Sequence, residues 1–274
     1  MPSSTRIYAC NYGINKQDQP GHDLNGCVPD VKNAETFLRF SRNVAQNDII
    51  TLIDHAASLE AYCDIVGRAV AEALTSDWLY LHCSGHGTQM VAGDAASDGL
   101  CMADFDAANW SGAGFLGVDR LRKLLGPAKC RVLLVTDACH SGNNIGQEAL
   151  DRDAVTHPVS FAKFLPIPDG VQQFRGQMRF LSMRSLPQML PNVIHVAGCA
   201  SDQTSADAVI SGKPNGVLTW YWFETLRCSR GLIDPMYSIA DYMRESISHA
   251  KYTQVPQIHG PVKLLSVPFL TDQE

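Results

Sequence analysis

Two short polar stretches, each closing an apolar run, carry side chains whose types and spacing could break an acyl bond. One is His82-Cys-Ser-Gly-His-Gly87 and the other is Thr136-Asp-Ala-Cys-His-Ser-Gly142. A cysteine attacks as its thiolate, and a neighbouring imidazole supplies that form by taking the proton or by pairing with the sulfur. Cys139 is therefore the candidate nucleophile and His86 the candidate general base. Each has a plainer reading when taken alone. Free cysteine is among the most buried residue types, and Ser-Gly-His-Gly also describes a turn with a surface histidine. Two such tips, on strands that follow one another in βαβ order, favour chemistry. The backbone N–H groups of Gly87 and Cys139 could then aim at the oxyanion of a tetrahedral intermediate, with Gly87 permitting close approach of the backbone.

These groups need elements that hold them at one edge of a fold. Val132 to Val135 is apolar and mostly branched, which reads as a buried strand and puts Cys139 just past its tip. Trp78 to Cys83 is a second such run and stops short of His86. Arg6 to Tyr12, Ile49 to Ile53 and Val193 to Gly198 read as further strands, with Val262 to Val267 as a short last one. Helical spacing recurs between them. Val31, Ala34, Phe37 and Leu38 follow Pro29, which suits a first helical turn, and Leu59 to Leu74, Val118 to Leu125, Val217 to Arg227 and Ile239 to Ala250 follow the same period. Thr88 to Gly117 is rich in Gly, Ala, Asp and Asn and reads as a long loop or short hairpin. Strands alternating with helices predict an α/β fold, an open and mostly parallel sheet flanked by helices. Such sheets bind ligands at the carboxyl ends of their strands, where both polar tips fall.

With 274 residues, 45% of them hydrophobic and 18% charged, the chain can build one sizeable core. No internal repeat or linker divides it, so a single domain over residues 1–274 is expected. The formal charge is -6 and no basic stripe occurs, which argues against nucleic acid and favours a cationic ligand. Nine cysteines without a C-x-x-C pair read as reduced thiols. No run approaches about 18 apolar residues, and the first residues lack an apolar leader, so a cytoplasmic protein away from membranes is expected.

Taken together, Tyr80-Leu-His-Cys-Ser-Gly-His-Gly-Thr-Gln89, Thr136-Asp-Ala-Cys-His-Ser-Gly142 and Gly26-Cys-Val-Pro-Asp30 resemble the hallmarks of caspase-like cysteine peptidases of the metacaspase and orthocaspase type. Gly198-Cys-Ala-Ser-Asp-Gln-Thr-Ser-Ala-Asp207 is similar to the start of that family's small-subunit region, and Pro256-Gln-Ile-His-Gly-Pro261 to its closing strand. The resemblance covers nearly the whole chain. It implies a caspase-like αβα sandwich with a large-subunit-like region over 1–142, an inter-subunit linker over 143–192 and a small-subunit-like region over 193–274. It also implies a cysteine endopeptidase with a Cys139–His86 dyad and an S1 pocket built from Asp30, Ser84 and Asp137. Strand geometry agrees with that pocket, because residues i and i+2 share a face: Asp137 can stand beside Cys139, and Ser84 beside His86. Asp30 has a plainer reading as an acid at a helix N-terminus. Two carboxylates in a cleft favour a guanidinium or an ammonium, so the expected partner is a protein or peptide substrate cut after Arg or Lys.

No cofactor is required for this chemistry, although the family implies Ca²⁺ as an activator. Asp98 and Asp119 match two acidic positions of the family's calcium set, while Asn143-Asn-Ile-Gly146 stands where a further acid would be expected. Calcium takes about six to eight oxygen ligands, so two acids alone do not make a site. The segment after the nucleophile is long and proline-bearing and offers Arg152, Lys163, Arg175, Arg179 and Arg184 to self-cleavage. The competing reading is a catalytically silent caspase-like scaffold or regulatory domain, and retention of Cys139, His86 and the pocket acids favours the enzyme. The short Val262 to Val267 run lies between Pro261 and Pro268, which blunts a sheet edge and points to a monomer.

Overall fold

The computed structural model describes residues 5–17, 21–92, 95–139, 160–168, 179–200, 203–228 and 234–271. Its central sheet contains β1 (Ile7–Gly13), β2 (Ile49–Ile53), β3 (Trp78–Ser84), β7 (Arg131–Asp137), β10 (Val193–Ala197) and β13 (Gln257–His259). They lie in the order β13-β10-β7-β3-β1-β2. Only β13 runs antiparallel to its neighbour. The register places Gly13 opposite Ser84 and Ser84 opposite Asp137, so β1, β3 and β7 end level. Both reactive tips therefore leave the sheet side by side.

The strands are apolar on both faces because helices cover both sides. Leu133 and Val135 face one core with Ala34, Phe37 and Leu38 of α1 (Cys27–Ser41) and with the helices Val217–Arg227 and Met236–His249. Val132 and Leu134, one position out of phase, face the other with α2 (Leu59–Glu72), α3 (Val118–Leu125) and the turn Leu186–Met189. Capping fixes where the helices start. The Ser58 hydroxyl accepts from the Ala61 N–H at 3.2 Å at the head of α2. Asn15 Oδ1 accepts from the Cys27 and Val28 N–H groups (2.8 and 3.1 Å), satisfying donors that α1 would otherwise leave orphaned.

Three regions differ from the sequence reading. Of the two readings of Thr88 to Gly117 the hairpin holds but falls short: β4 (Gly87–Ala92) and β5 (Ala95–Cys101) pair antiparallel, and β6 (Phe115–Gly117) adds to β5 to make a sheet. Its small residues hide the alternation, but Leu100 and Leu116 are fully buried. Val262 to Val267 is no strand; Val262–Leu265 is one helical turn. Pro261 precedes it and its carbonyl accepts from the Leu264 and Leu265 N–H groups, so the proline starts a turn there. The edge strand is instead Gln257–His259, within the stretch that resembled the family's closing strand. Within the expected linker, β8 (Ser160–Ala162) pairs antiparallel with β11 (Ala206–Ile210), which also pairs with β12 (Lys213–Gly216), while β9 (Arg179–Leu181) pairs with β5.

Leu134 is fully buried at the centre of β7. Leu134→Ala is expected to cost about 2–5 kcal/mol, read as a lower midpoint in urea unfolding.

Candidate active site

At the ends of β3 and β7, Cys139 and His86 are both buried, and each is held by main-chain groups. The Ser205 N–H donates to Cys139 Sγ at 2.7 Å, and the thiol donates to the Ser205 carbonyl at 3.2 Å. Burial pushes the Cys139 thiol well above its usual range, and the neighbouring Cys199 adds to the shift, so the sulfur is protonated in this state. His86 Nε2 lies 2.6 Å from the His22 carbonyl. A carbonyl can only accept, so Nε2 carries the hydrogen and Nδ1 holds the lone pair. That Nδ1 is buried and has no hydrogen-bond partner among the described residues. Burial lowers the His86 pKa to about 4, outweighing the His22 carbonyl that raises it. The ring is neutral, and Nδ1 is the nitrogen able to take a proton.

Lys163 lies across both tips. Its carbonyl oxygen accepts from the Gly87 N–H and from the Cys139 N–H, both at 3.0 Å. Its own N–H donates to the Ser205 carbonyl at 3.0 Å. Its side chain is fully buried, and Nζ reaches Asp30 Oδ2 (3.0 Å), Ser84 Oγ (2.9 Å) and Asp137 Oδ1 (3.3 Å). Asp30, Ser84 and Asp137 are thus brought together around one ammonium group.

The two carboxylates are held differently. Asp30 sits in the first turn of α1, where Ser84 Oγ donates to Oδ2 at 2.6 Å and the Gly216 N–H to Oδ1 at 2.9 Å. Burial raises its pKa to about 6, against the pull of Lys163. For Asp137, burial pushes upward too, but Lys163, the Ser205 hydroxyl and the Thr219 N–H and hydroxyl outweigh it and hold the group below the ordinary carboxylate range. The Ser205 hydroxyl, the Thr219 N–H and the Thr219 hydroxyl stand at 2.6, 2.9 and 2.8 Å. Thr219 lies in the first turn of helix Val217–Arg227, so an orphan N–H and the positive end of the helix dipole both serve Asp137.

A chain of hydrogen bonds fixes Thr219 in turn. Its hydroxyl hydrogen goes to Asp137, so Oγ1 must accept from His82 Nε2 (2.9 Å), and His82 Nδ1 then accepts from the Tyr80 hydroxyl (2.8 Å). Burial lowers the His82 pKa to about 3, which keeps the ring neutral and this direction of donation intact. Gly216 closes the pocket, since a Cβ there would overlap Asp137, Asp30 and the Lys163 ammonium.

Sequence reasoning assigned no role to Ser205, Gly216 or Thr219. Ser205 belongs to the Gly198-to-Asp207 polar stretch at a strand tip, which was its one signal; Gly216 and Thr219 lie in ordinary-looking sequence at a helix start. The calcium candidates are apart from this centre. Asp98 is buried with Gln89 Nε2 at 3.2 Å, and Asp119 is exposed beside Arg122 at 3.4 Å. Among the described residues, no group of three or more His, Cys, Asp or Glu could hold a metal ion. Of the linker cations, Arg152 and Arg175 lie outside the described residues. Also among the described residues, no helix is long and apolar enough to cross a membrane.

Parallel strands between two helical layers, with a cysteine at a strand tip beside an acidic pocket, define a caspase-like α/β fold. The model of the Caspase domain matches residues 11–263, and the chain belongs to that family as a metacaspase-type, caspase-like peptidase. It is 29% identical to Metacaspase-1 of Scheffersomyces stipitis over 93% of this chain, and 27% identical to Metacaspase-1 of Coccidioides immitis over 90% of it. It spans 70% and 59% of those relatives' lengths. Among solved structures, protein GSU0716 from Geobacter sulfurreducens aligns with a TM-score of 0.68 at 21% identity, covering 98% of this chain and 100% of that one. Caspase-1 from Spodoptera frugiperda aligns with a TM-score of 0.59 at 12% identity, covering 98% and 93%. These two likenesses concern the fold.

Two expectations follow from the hydrogen-bond chain and from His86. Thr219→Val removes the hydroxyl between His82 and Asp137 while keeping the shape, and should cost about 1–3 kcal/mol, measured by chemical unfolding. The His86 pKa is depressed in the fold, from 6.5 to about 4. The unfolded chain therefore takes this proton first as pH falls, and the residue's contribution to stability, complete above its unfolded pKa, is lost on going down through the folded value. An NMR titration of the His86 ring in Cys139→Ala should show its midpoint near the lower figure; a midpoint at the ordinary histidine value contradicts the assignment.

Proposed function

We propose that this chain is a cysteine endopeptidase that cuts after Lys or Arg through Cys139 and His86 and processes its own linker. The observation that carries the proposal is the position of Lys163, whose carbonyl oxygen meets two converging N–H donors while its ammonium fills the acidic pocket. That is how a peptide must lie for attack on the carbonyl carbon of a basic residue.

The steps follow from the geometry. The Gly87 and Cys139 N–H groups polarise the carbonyl and receive the negative charge that develops on its oxygen. The thiol proton passes to His86 Nδ1, and the sulfur attacks the carbon. As the tetrahedral intermediate collapses, His86 returns the proton to the leaving amine and an acyl thioester remains on Cys139. A water molecule, deprotonated by the same nitrogen, then hydrolyses the thioester and restores the thiol. The Nε2–H bond to the His22 carbonyl holds the ring in the tautomer whose Nδ1 lone pair can take a proton.

Selectivity arises from desolvation. Asp30 and Asp137 are both fully buried, and without a cation between them the two charges repel in a medium that solvates them poorly. A basic side chain removes that cost, whereas an acidic one increases it. Self-processing uses the same preference on a linker residue. The assay is run with and without Ca²⁺, the activator that the family resemblance implies, although Asp98 and Asp119 alone do not make a site.

Fluorogenic peptides ending in Arg or Lys should be cleaved, those ending in Asp should not, and Cys139→Ala should abolish turnover. Asp137→Asn breaks a buried charge contact, which costs roughly 2–5 kcal/mol. That corresponds to a loss of kcat/KM on basic peptides of about 30-fold to several thousand-fold. Cleavage of Asp peptides in preference to Arg or Lys would sink the specificity argument.

A further inference from the structure

We infer that Lys163–Phe164 is the bond this chain cuts in itself, and that until it is cut the molecule's own Ser160–Lys163 segment occupies the substrate cleft. This rests on the peptidase reading above and adds which bond is cut, and in which molecule. Among the described linker cations, only Lys163 meets both requirements of a cleaved residue, a side chain in the pocket and a carbonyl on the two N–H donors. Arg184 instead directs Nη2 to the Cys199 carbonyl at 2.9 Å, and Arg179 lies in β9 beside β5.

Both flanks of the bond are anchored, as in a bound substrate. Upstream, β8 runs antiparallel to β11 with Ala162 opposite Ala206 and Phe161 opposite Asp207, so the segment binds by strand addition. Downstream, the Leu165 N–H donates to the Gly87 carbonyl (3.0 Å), and the Thr88 hydroxyl donates to the Leu165 carbonyl (2.8 Å). The Leu165 side chain is buried with Cys101, Phe105 and Trp110. The 163–164 peptide group is therefore held over Cys139 from both sides by contacts that the fold itself supplies.

Two consequences follow. Cutting consumes one water: the bond from the Lys163 carbonyl carbon to the Phe164 nitrogen breaks by way of the Cys139 thioester, leaving a Lys163 carboxylate and a Phe164 amine. Because the bond is already in place, the reaction is intramolecular, with a rate independent of protein concentration. The intact chain is also closed to other substrates, since any incoming basic residue must displace Lys163 from between Asp30 and Asp137. The segment defines a matched reporter, a Ser-Phe-Ala-Lys peptide carrying a fluorogenic amide in the place of Phe164.

The test compares freshly purified wild type, Cys139→Ala, Lys163→Gln and Lys163→Arg by intact mass and N-terminal analysis over time, at several dilutions, with reporter turnover measured in parallel. Wild type should produce a new N-terminus at Phe164 at a dilution-independent rate, with reporter turnover rising as the cut proceeds. Lys163→Arg should still be cut there, whereas Lys163→Gln and Cys139→Ala should not. Lys163→Arg keeps the cation, so it remains informative if the glutamine variant fails to fold. Wild type that turns over basic reporters while staying intact at 163–164, or that is cut there only at a concentration-dependent rate, overturns the inference and leaves the peptidase reading standing. Folded wild type and folded Lys163→Gln that both leave every basic reporter uncut would overturn the peptidase reading, and this inference with it.

Discussion

A single buried ammonium group, held between two buried carboxylates, is the constraint on which the rest of this structure depends. Lys163, Asp30 and Asp137 are all fully buried. Burying ions is costly, and the arrangement is tolerable only because each charge is paired and its remaining hydrogen-bonding capacity is met. That requirement explains features that would otherwise look unrelated. The helix Val217–Arg227 begins at the pocket, so that the Gly216 and Thr219 N–H groups at its start reach one carboxylate each. A hydroxyl stands on each acid, from Ser84 and Ser205. A glycine stands where any side chain would meet the charged groups.

The same architecture ties the acidic pocket to the cysteine. Asp137 ends β7 two positions before Cys139, and Ser205 touches both: its hydroxyl donates to Asp137, its N–H to Cys139 Sγ, and its carbonyl accepts from the Lys163 N–H. Lys163, whose side chain fills the pocket, thereby has its carbonyl on the Gly87 and Cys139 N–H groups. In the proposed peptidase, binding energy gained in the pocket is spent on orienting the reacting carbonyl. His86 is set apart from this cluster by its bond to the His22 carbonyl and stays neutral, while burial keeps the Cys139 thiol protonated.

Much of the scaffold was legible in the chain because parallel strands buried on both faces leave near-continuous apolar runs, as in Val132 to Val135 and Trp78 to Cys83. Helices were legible for a related reason: Val31, Ala34, Phe37 and Leu38 share one face and are all buried. Failures came where composition and period disagreed. The small residues of β4, β5 and β6 concealed an antiparallel sheet, and a proline turned the apolar run after Pro261 into a helical turn.

The site divides along the same physical line. Sequence by itself determined the family, the strand tips that carry Cys139 and His86, and an acidic pocket drawn from Asp30, Ser84 and Asp137, because residues confined to strand ends and first turns announce their position locally. It did not place Lys163 between the two acids, and it passed over Ser205, Gly216 and Thr219. Those assignments rest on contacts between segments far apart in the chain, such as Lys163 with Asp30 and Thr219 with Asp137. Local pattern is blind to such pairings, because the energy that selects them appears only once water has been excluded from between the charges.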